Sequence, residues 1–231
     1  CELMKGREHC CFCIDFNIVA GPSVCNPKEV PHLVDENGEF IKSGVRIKEP
    51  RWQTEEGRRQ MFPYEEVYKE FKAQYDLFVE YTGMKPGYLH GHSITHESYN
   101  EAMERISEES GVHTSTFFTE KFNIQAPIMQ MFTDKNSVSQ NKTFFAEGQL
   151  NKDTLGWLKE HHEEYEQLEY GWLIGHMGYC DAKLLKYTSL SLERMKDLEM
   201  AMDPWTVQWV KDNNIELITY HDLQKELKKE A

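Results

Sequence analysis

Apolar residues recur along the chain in short blocks whose spacing alternates between that of strands and that of helices. Residues 10–19 are apolar and β-branched around a single acid, which predicts a buried strand that ends at Gly21-Pro22. Residues 63–82 predict a helix, because large apolar side chains recur there at helical spacing between a first-turn proline and a glycine. Those side chains are Tyr64, Val67, Tyr68, Phe71, Tyr75, Phe78 and Val79.

The alternation continues towards the end of the chain. Residues 22–62 form a long excursion with a turn at Asn37-Gly38, and we expect it to be functional or to carry short elements. Residues 112–150 predict strand fragments and a long loop. The other predicted elements are a strand around Tyr88-Leu89, helices over 97–110 and 152–168, a buried strand at 171–175, a helix that begins at Asp203-Pro204, a strand at 215–219 and a helix over 221–229.

Strands and helices in alternation predict an α/β fold, in which helices cover a parallel sheet. A chain of 231 residues suits one domain of this kind, so we predict a single domain over 1–231. In parallel α/β barrels the chemistry collects where the strands end. Three polar groups follow predicted strands here, and they are Asp15, the segment from His90 to His96, and His176.

Charge and cysteine content narrow the function classes. The formal net charge of -13 argues against nucleic acid or an anionic membrane as partner, because a duplex binder needs a basic surface. Four of the six cysteines crowd into residues 10–25, too close for a spread disulfide framework, which favours a reduced, cytoplasmic protein. Zinc binding by this Cys-Cys-x-Cys group is disfavoured, because paired knuckles with two-residue spacing are lacking.

The polar groups at the strand ends each allow two interpretations. The imidazoles of His90, His92 and His96 offer neutral nitrogens to one cation, or they cap and hydrogen-bond a turn. Asp15, inside an apolar strand, would need an ion partner or a metal if it is buried. His176 is either a catalytic residue at a strand end or a structural one.

Two other groups are interpreted as structural. The pair His161-His162 lacks the four-residue spacing of a helical zinc motif, so it predicts a solvated helix face. Trp205, Trp209 and Val210 predict helix packing rather than a platform for a sugar ring.

In its motifs, taken together and in order, the chain resembles the YdjC-like (chito-oligosaccharide) carbohydrate deacetylases over essentially its whole length. The matching segments are residues 14–22, residues 30–40, the helix with Glu66, Val67, Glu70, Gln74, Phe78, Gly83 and Pro86, the run Leu89-His90-Gly91-His92-x-x-x-His96, and residues 175–181 with Arg194 and Leu198 behind them.

The resemblance implies a TIM-barrel-like (β/α) barrel and removal of N-acetyl groups from a small amino-sugar oligosaccharide, which is the expected partner. A divalent cation would be held at Asp15 and His92, and His176 would act as the catalytic acid. Because a carboxylate ligand is hard, Mg²⁺ is favoured over Mn²⁺ or Zn²⁺. Asp181, Arg194, His90 and His96 would support the site. A homodimer is left open.

The departures from the family concern the site. The family opens with a strand ending in Asn-Ala-Asp-Asp-Phe-Gly, which supplies a metal ligand and the general base, and residues 1–9 do not match it. We therefore expect the barrel to be incomplete at its N-terminus, and this chain alone to be unstable and inactive while its full-length parent is active. Asp15 aligns with a metal histidine, and His90, Ile94 and Met177 replace a usual Asp, His and Pro.

Two other functions compete with deacetylation. The departures at Asp15, His90 and Ile94 motivate a catalytically degenerate barrel that only binds sugar. A hydrolase acting on glycosidic bonds would need two carboxylates flanking a sugar, and the sequence suggests no such pair.

Overall fold

A computed structural model describes residues 2–7, 9–133 and 146–230. Packing divides the chain into two compact units: unit 1 is Cys1–Phe118 with Ile218–Ala231, and unit 2 is Thr119–Leu217. The single domain over 1–231 stays a prediction. Across the described residues, every helix is too short or too polar to serve as a membrane span.

Unit 1 contains a parallel pair of short strands. Strand β1 is Ile14–Phe16 and strand β2 is Leu89–Gly91, and the register places Asp15 opposite His90. The segment between the strands holds three α-helices, α1 (Ser43–Arg46), α2 (Glu55–Met61) and α3 (Tyr64–Thr82), with 3-10 turns at Pro27–Glu29 and Pro50–Gln53. A further 3-10 turn is Glu2–Met4.

The strand predicted over 10–19 is wrong at both ends, since only Ile14–Phe16 pairs with a neighbour. Asn17 turns the chain, because its side-chain oxygen accepts from the backbone N–H groups of Val19 (3.0 Å) and Ala20 (3.2 Å). Ile18 is nevertheless fully buried. The apolar pattern therefore predicted the burial of this residue correctly and the length of the strand incorrectly.

Helix α3 confirms the predicted helix over 63–82. Its C-terminal Gly83 adopts φ 70°, and its N–H donates to the carbonyl of Val79 at 2.8 Å. On the buried face, Phe71 stacks on Phe16 with ring centroids 4.5 Å apart. Glu70 is also fully buried there and accepts from the backbone N–H groups of residues 24 and 25, which fixes the start of the excursion.

Two further helices complete unit 1. Helix α4, Glu97–Ser110, confirms the prediction over 97–110. Helix α12, Tyr220–Glu230, returns to this unit, where Gln224 Nε2 donates to the carbonyl of Gly87 at 2.6 Å. The Tyr220 and Tyr88 rings also lie 4.0 Å apart.

In the described part of the mixed segment 112–150 three short helices form, and the predicted strand fragments are reduced to single parallel bridges at Thr114 and Gln125. Helix α5 is Ser115–Lys121, helix α6 is Met129–Thr133 and helix α7 is Ala146–Leu150. The hydroxyl of Thr114 accepts from the backbone N–H of Phe117 at 3.1 Å, an N-terminal cap that starts α5. Residues 134–145, including Phe144 and Phe145, lie outside the described residues.

Unit 2 packs helices around a small apolar core. Its remaining helices are α8 (Thr154–Glu166), α9 (Leu184–Tyr187), α10 (Glu193–Met202) and α11 (Pro204–Asp212). The buried core residues are Ile128, Leu158, Met200 and Trp209, with Trp205 and Val210 packed against them. The interpretation of the tryptophans as helix packing is therefore confirmed, as is the start of α11 at Asp203-Pro204.

The strands predicted at 171–175 and 215–219 are wrong. Gly171 makes one parallel bridge with Gln125, and residues 172–181 then run without regular structure. At the second segment, Thr219 N–H donates to Asp222 Oδ2 at 2.9 Å and so leads into α12, while Leu217 is 82% exposed. Both segments are apolar enough for a strand, but neither forms a ladder with another described segment.

The α/β class is confirmed. Parallel pairing occurs at β1–β2, at the bridge between Leu89 and Thr114, and at the bridge between Gln125 and Gly171. Closure into a TIM-barrel-like sheet stays a prediction.

Candidate active site

The structure brings together Asp15 and His92, the two proposed metal ligands. Asp15 Oδ2 lies 3.0 Å from His92 Nδ1, and both side chains are about half exposed. Asp15 is in β1 and His92 directly follows β2, so the parallel register places both at one edge of the sheet. Asp15 is not buried as its apolar surroundings suggested, because alternation along β1 turns Ile14 and Phe16 inward and the acid outward.

Tyr99 holds the strand that carries His92. Its hydroxyl accepts from the backbone N–H of His92 at 2.7 Å and donates to the carbonyl of Phe16 in a very short hydrogen bond. A Cβ on Gly91 would lie 2.6 Å from the Tyr99 ring, so the glycine admits this buried side chain. Ser93, which directly follows His92, has a positive φ of 68°. The sequence placed Tyr99 only within the predicted helix over 97–110, with no role at the site.

His90 lies beside the Asp15–His92 pair in sequence but uses a different partner. It is exposed on β2, and its Nδ1 lies 2.7 Å from Ser115 Oγ at the start of α5. The Ser115 hydroxyl therefore contacts the Nδ1 atom of His90, and the other ring nitrogen, Nε2, takes no part in this hydrogen bond.

His96 caps helix α4 and is buried, with 5% of its surface exposed. Its Nδ1 accepts from the backbone N–H of Tyr99 at 3.3 Å, and its ring stacks on Phe62 with centroids 4.2 Å apart. Burial lowers the pKa of His96 to about 4, and the charges of Arg58 and Arg46 act in the same direction. Of the two interpretations of the imidazoles, the one in which they cap a turn agrees with the observed position of His96.

His96 should make the folded protein sensitive to acid. The unfolded chain takes up its proton near pH 6.5 and the folded chain only near pH 4, so stability falls as pH falls through this range. The full shift corresponds to about 3 kcal/mol of unfolding free energy. His96→Asn keeps a side-chain cap without a titrating ring.

We therefore expect urea unfolding at pH 7 and pH 4.5 to show a smaller acid-dependent loss of stability in His96→Asn than in the wild type. His162→Asn, a histidine change on α8, is the control and should follow the wild type. Parallel pH dependence of the wild type and His96→Asn would contradict the assignment.

His176 lies on the irregular segment 172–181 of unit 2, which we call the His176 loop. Its backbone N–H donates to Asp197 Oδ2 at 2.8 Å, and its side chain is at the surface. Desolvation lowers the pKa of His176, and the positive charge of Arg194 is the next cause. A lowered pKa leaves the imidazole ready to take up and release a proton below pH 6.5.

The expected supports of His176 make other contacts. Asp181 Oδ1 accepts from the backbone N–H of Leu184 at 2.7 Å, at the start of α9. Arg194 Nε donates to the carbonyl of Leu190 at 2.8 Å, and the Arg194 carbonyl accepts from Gly178 N–H at 3.2 Å. Arg194 thus reaches the His176 loop through its backbone and its charge.

Sequence reasoning missed a buried ionic cluster in unit 2, formed by Lys152, Glu193 and Asp197. Lys152 Nζ lies 2.8 Å from Asp197 Oδ1 and 3.3 Å from Glu193 Oε2, with each side chain at most 6% exposed. Glu193 and Asp197 lie in a stretch for which the sequence predicted no element, and scattered acids carry no signal of burial, so only the fold reveals this cluster.

Among the described residues, no three His, Cys, Asp or Glu side chains are grouped as a metal site. The cysteines at 10, 11 and 13 are free thiols. Burial raises the pKa of Cys11 to about 11 and also raises that of Cys13, which keeps both thiols protonated at neutral pH. The interpretation that the Cys-Cys-x-Cys group does not bind zinc stays a prediction.

The fold and the candidate site define an α/β protein with an acid on one strand and a histidine directly after the adjacent parallel strand. The sequence profile of the family described as YdjC-like protein matches residues 3–212, and the chain belongs to this family. Carbohydrate deacetylase 2 of Listeria innocua serovar 6a is 30% identical over 198 residues, which is 84% of this chain and 70% of that protein. A carbohydrate deacetylase of Clostridium beijerinckii is 25% identical over 202 residues, 85% of this chain and 72% of that protein.

A solved structure from Enterococcus faecalis V583 has a similar fold. It is named a "putative cellobiose-phosphate cleavage protein" and superposes with a TM-score of 0.62 at 15% identity, covering 91% of this chain and 77% of that chain. At this identity the likeness concerns the fold alone.

Proposed function

We propose that the protein is a metal-dependent deacetylase that removes N-acetyl groups from small amino-sugar oligosaccharides. The observation that carries the proposal is the Asp15–His92 pair, 3.0 Å apart, with Asp15 on β1 and His92 directly after the parallel strand β2. Membership of the YdjC-like family supports it, as do the relatives named carbohydrate deacetylases. A TIM-barrel-like fold is part of the same proposal.

The donor atoms of the pair suit a divalent cation. Asp15 Oδ2 and His92 Nδ1 lie 3.0 Å apart, at hydrogen-bond distance, and would supply one oxygen and one nitrogen ligand to a cation bound between them. A carboxylate and an imidazole together suit Mg²⁺, which we favour, and also Mn²⁺ and Zn²⁺. Catalytic zinc sites commonly use three protein ligands, so the pair would be part of a site.

A bound cation would polarise the acetamide carbonyl and make water a stronger nucleophile. Water adds its oxygen to the carbonyl carbon, the C–N bond breaks, and acetate and the free amine are released. His176 is the proposed donor of the proton that the departing nitrogen takes up. Tyr99 keeps the His92 backbone in place through its hydroxyl. The net charge of -13 is compatible with a cationic amine product.

The direct test is acetate release from N-acetylglucosamine oligomers by the protein expressed from its whole reading frame. We expect release that needs added Mg²⁺, Mn²⁺ or Zn²⁺ and that falls by at least about 100-fold in His92→Ala, because a ligand of the cation is lost. His113→Ala, a histidine outside the candidate site, is the matched control and should keep activity near that of the wild type.

Two outcomes would contradict the proposal. Release that is unaffected by chelation and by His92→Ala would remove the pair from the reaction. Absence of release from several acetylated sugars by folded, metal-supplemented protein, with oligosaccharide binding retained, would favour the degenerate sugar-binding alternative.

A further inference from the structure

The start of the His176 loop is anchored in unit 2, because Trp172 N–H donates to the carbonyl of Gln125 at 2.8 Å and Leu173 and Ile174 pack against the apolar core. Residues 172–181 have no regular structure, and two of their backbone N–H groups reach helix α10. His176 N–H donates to the side chain of Asp197 at 2.8 Å, and Gly178 N–H donates to the carbonyl of Arg194 at 3.2 Å. Of these two contacts, only the first depends on a side chain, so a substitution at Asp197 removes the contact at His176 and leaves the start of the loop anchored.

The carboxylate of Asp197 is itself held rigidly. It is fully buried, and its Oδ1 accepts from Lys152 Nζ at 2.8 Å and from Thr154 Oγ1 at 3.0 Å. Its Oδ2 accepts from the backbone N–H of His176. Three donors therefore fix both oxygens, and a hydrogen bond to a buried charge is about twice as strong as one between neutral groups.

The hydrogen bond from the loop reaches a carboxylate whose charge Lys152 does not fully compensate. Lys152 Nζ lies 2.8 Å from Asp197 and 3.3 Å from Glu193, so one ammonium group faces two buried carboxylates, and His176 N–H supplies the donor at Oδ2 of Asp197. The loop approaches Asp197 closely, since a Cβ on Gly175 would lie 3.1 Å from Asp197 Cβ. Because residue 175 is a glycine, the chain can approach closely enough for the amide of His176 to donate to the carboxylate.

We propose that Asp197, oriented by Lys152 and Thr154, is a positioning residue that fixes the loop carrying His176. This inference rests on the proposed function, in which His176 donates a proton. A small displacement of a proton donor reduces the rate of the chemical step strongly, and it affects substrate binding little.

Glu193 provides a matched control within the same cluster. Asp197→Asn and Glu193→Gln each remove one buried negative charge beside Lys152, but only Asp197 bonds to the loop. In Asp197→Asn we expect kcat for acetate release to fall about 10- to 100-fold, with KM changing about threefold or less. In Glu193→Gln we expect kcat to change about threefold or less.

Hydrogen exchange provides a measurement that needs no turnover. The His176 amide should exchange at least about tenfold faster in Asp197→Asn than in the wild type or in Glu193→Gln, because its hydrogen bond is lost. Thermal unfolding of both variants shows whether they fold. If Asp197→Asn does not fold, Thr154→Val leaves every charge in place and should lower kcat about 3- to 10-fold, with faster exchange at His176.

Equal losses of kcat in Asp197→Asn and Glu193→Gln would overturn the positioning role, as would unchanged exchange at the His176 amide in folded Asp197→Asn. A wild-type protein without deacetylase activity would overturn the proposed function instead, and the exchange measurement would then decide whether Asp197 holds the loop.

Discussion

His176→Asn is expected to lower kcat for acetate release by about 10²- to 10⁴-fold, the usual contribution of a general acid. KM should change about threefold or less, because the proposed role concerns the proton transfer and not substrate binding. His162→Asn, on helix α8 of the same unit, makes the same chemical change away from the proposed site and should leave kcat near the wild-type value. Acetate release under saturating substrate and metal measures both.

The pH dependence gives His176 a second signature. A general acid must be protonated to act, and the pKa of His176 is lowered by desolvation and then by Arg194. We therefore expect kcat/KM of the wild type to decline with rising pH below 6.5, the ordinary pKa of histidine, and this decline to be absent in His176→Asn. The same decline in both proteins would assign it to another group.

Phe71→Ala is expected to destabilise the protein by about 4 kcal/mol, because it opens a cavity in the core of unit 1. Phe71 is fully buried, stacks on Phe16 at 4.5 Å and meets the edge of Tyr99 at 4.6 Å. Phe16 and Tyr99 are also the residues that connect β1 to the backbone of His92. The cavity would therefore weaken the candidate metal site as well as the fold.

Phe78→Ala, two turns further along α3, is the matched control. Phe78 is only partly buried against the same core, so its loss should destabilise by about 1–2 kcal/mol. Urea unfolding of the two variants gives the comparison. Equal destabilisation would show that the core of unit 1 is not centred on Phe71.

The sequence predicted the long helices α3 and α4, but it did not predict the helices α5, α6, α7 and α10, and two of the four predicted strands do not form. The boundaries of α3 and α4 depend on local signals, such as the apolar stripe and the left-handed glycines at 83 and 111, and these were predicted within a residue or two. A strand requires a distant ladder partner. The apolar run at 215–219 has the composition of a strand, but its Thr219 caps α12 instead.

Only one part of the candidate site could be predicted from the sequence, and that is the part formed where two neighbouring strands meet the same edge of the sheet. Asp15 and His92 were expected together, and they lie 3.0 Å apart. The roles of Tyr99 and Asp197 could not be inferred, because their partners lie far away in sequence. Tyr99 reaches back to Phe16, and Asp197 joins Thr154 to the amide of His176.

The discontinuity of unit 1 has a consequence for synthesis of the protein on the ribosome. Helix α12 packs on unit 1 through Gln224 and Tyr220, but residues 119–217 are translated between the two parts of that unit. At a synthesis rate of about 5–20 residues per second, roughly 5–20 s pass between synthesis of the first part of unit 1 and synthesis of helix α12. Over that interval the surface around Tyr88 and Gly87 is exposed on the nascent chain, where chaperones are its first available partners.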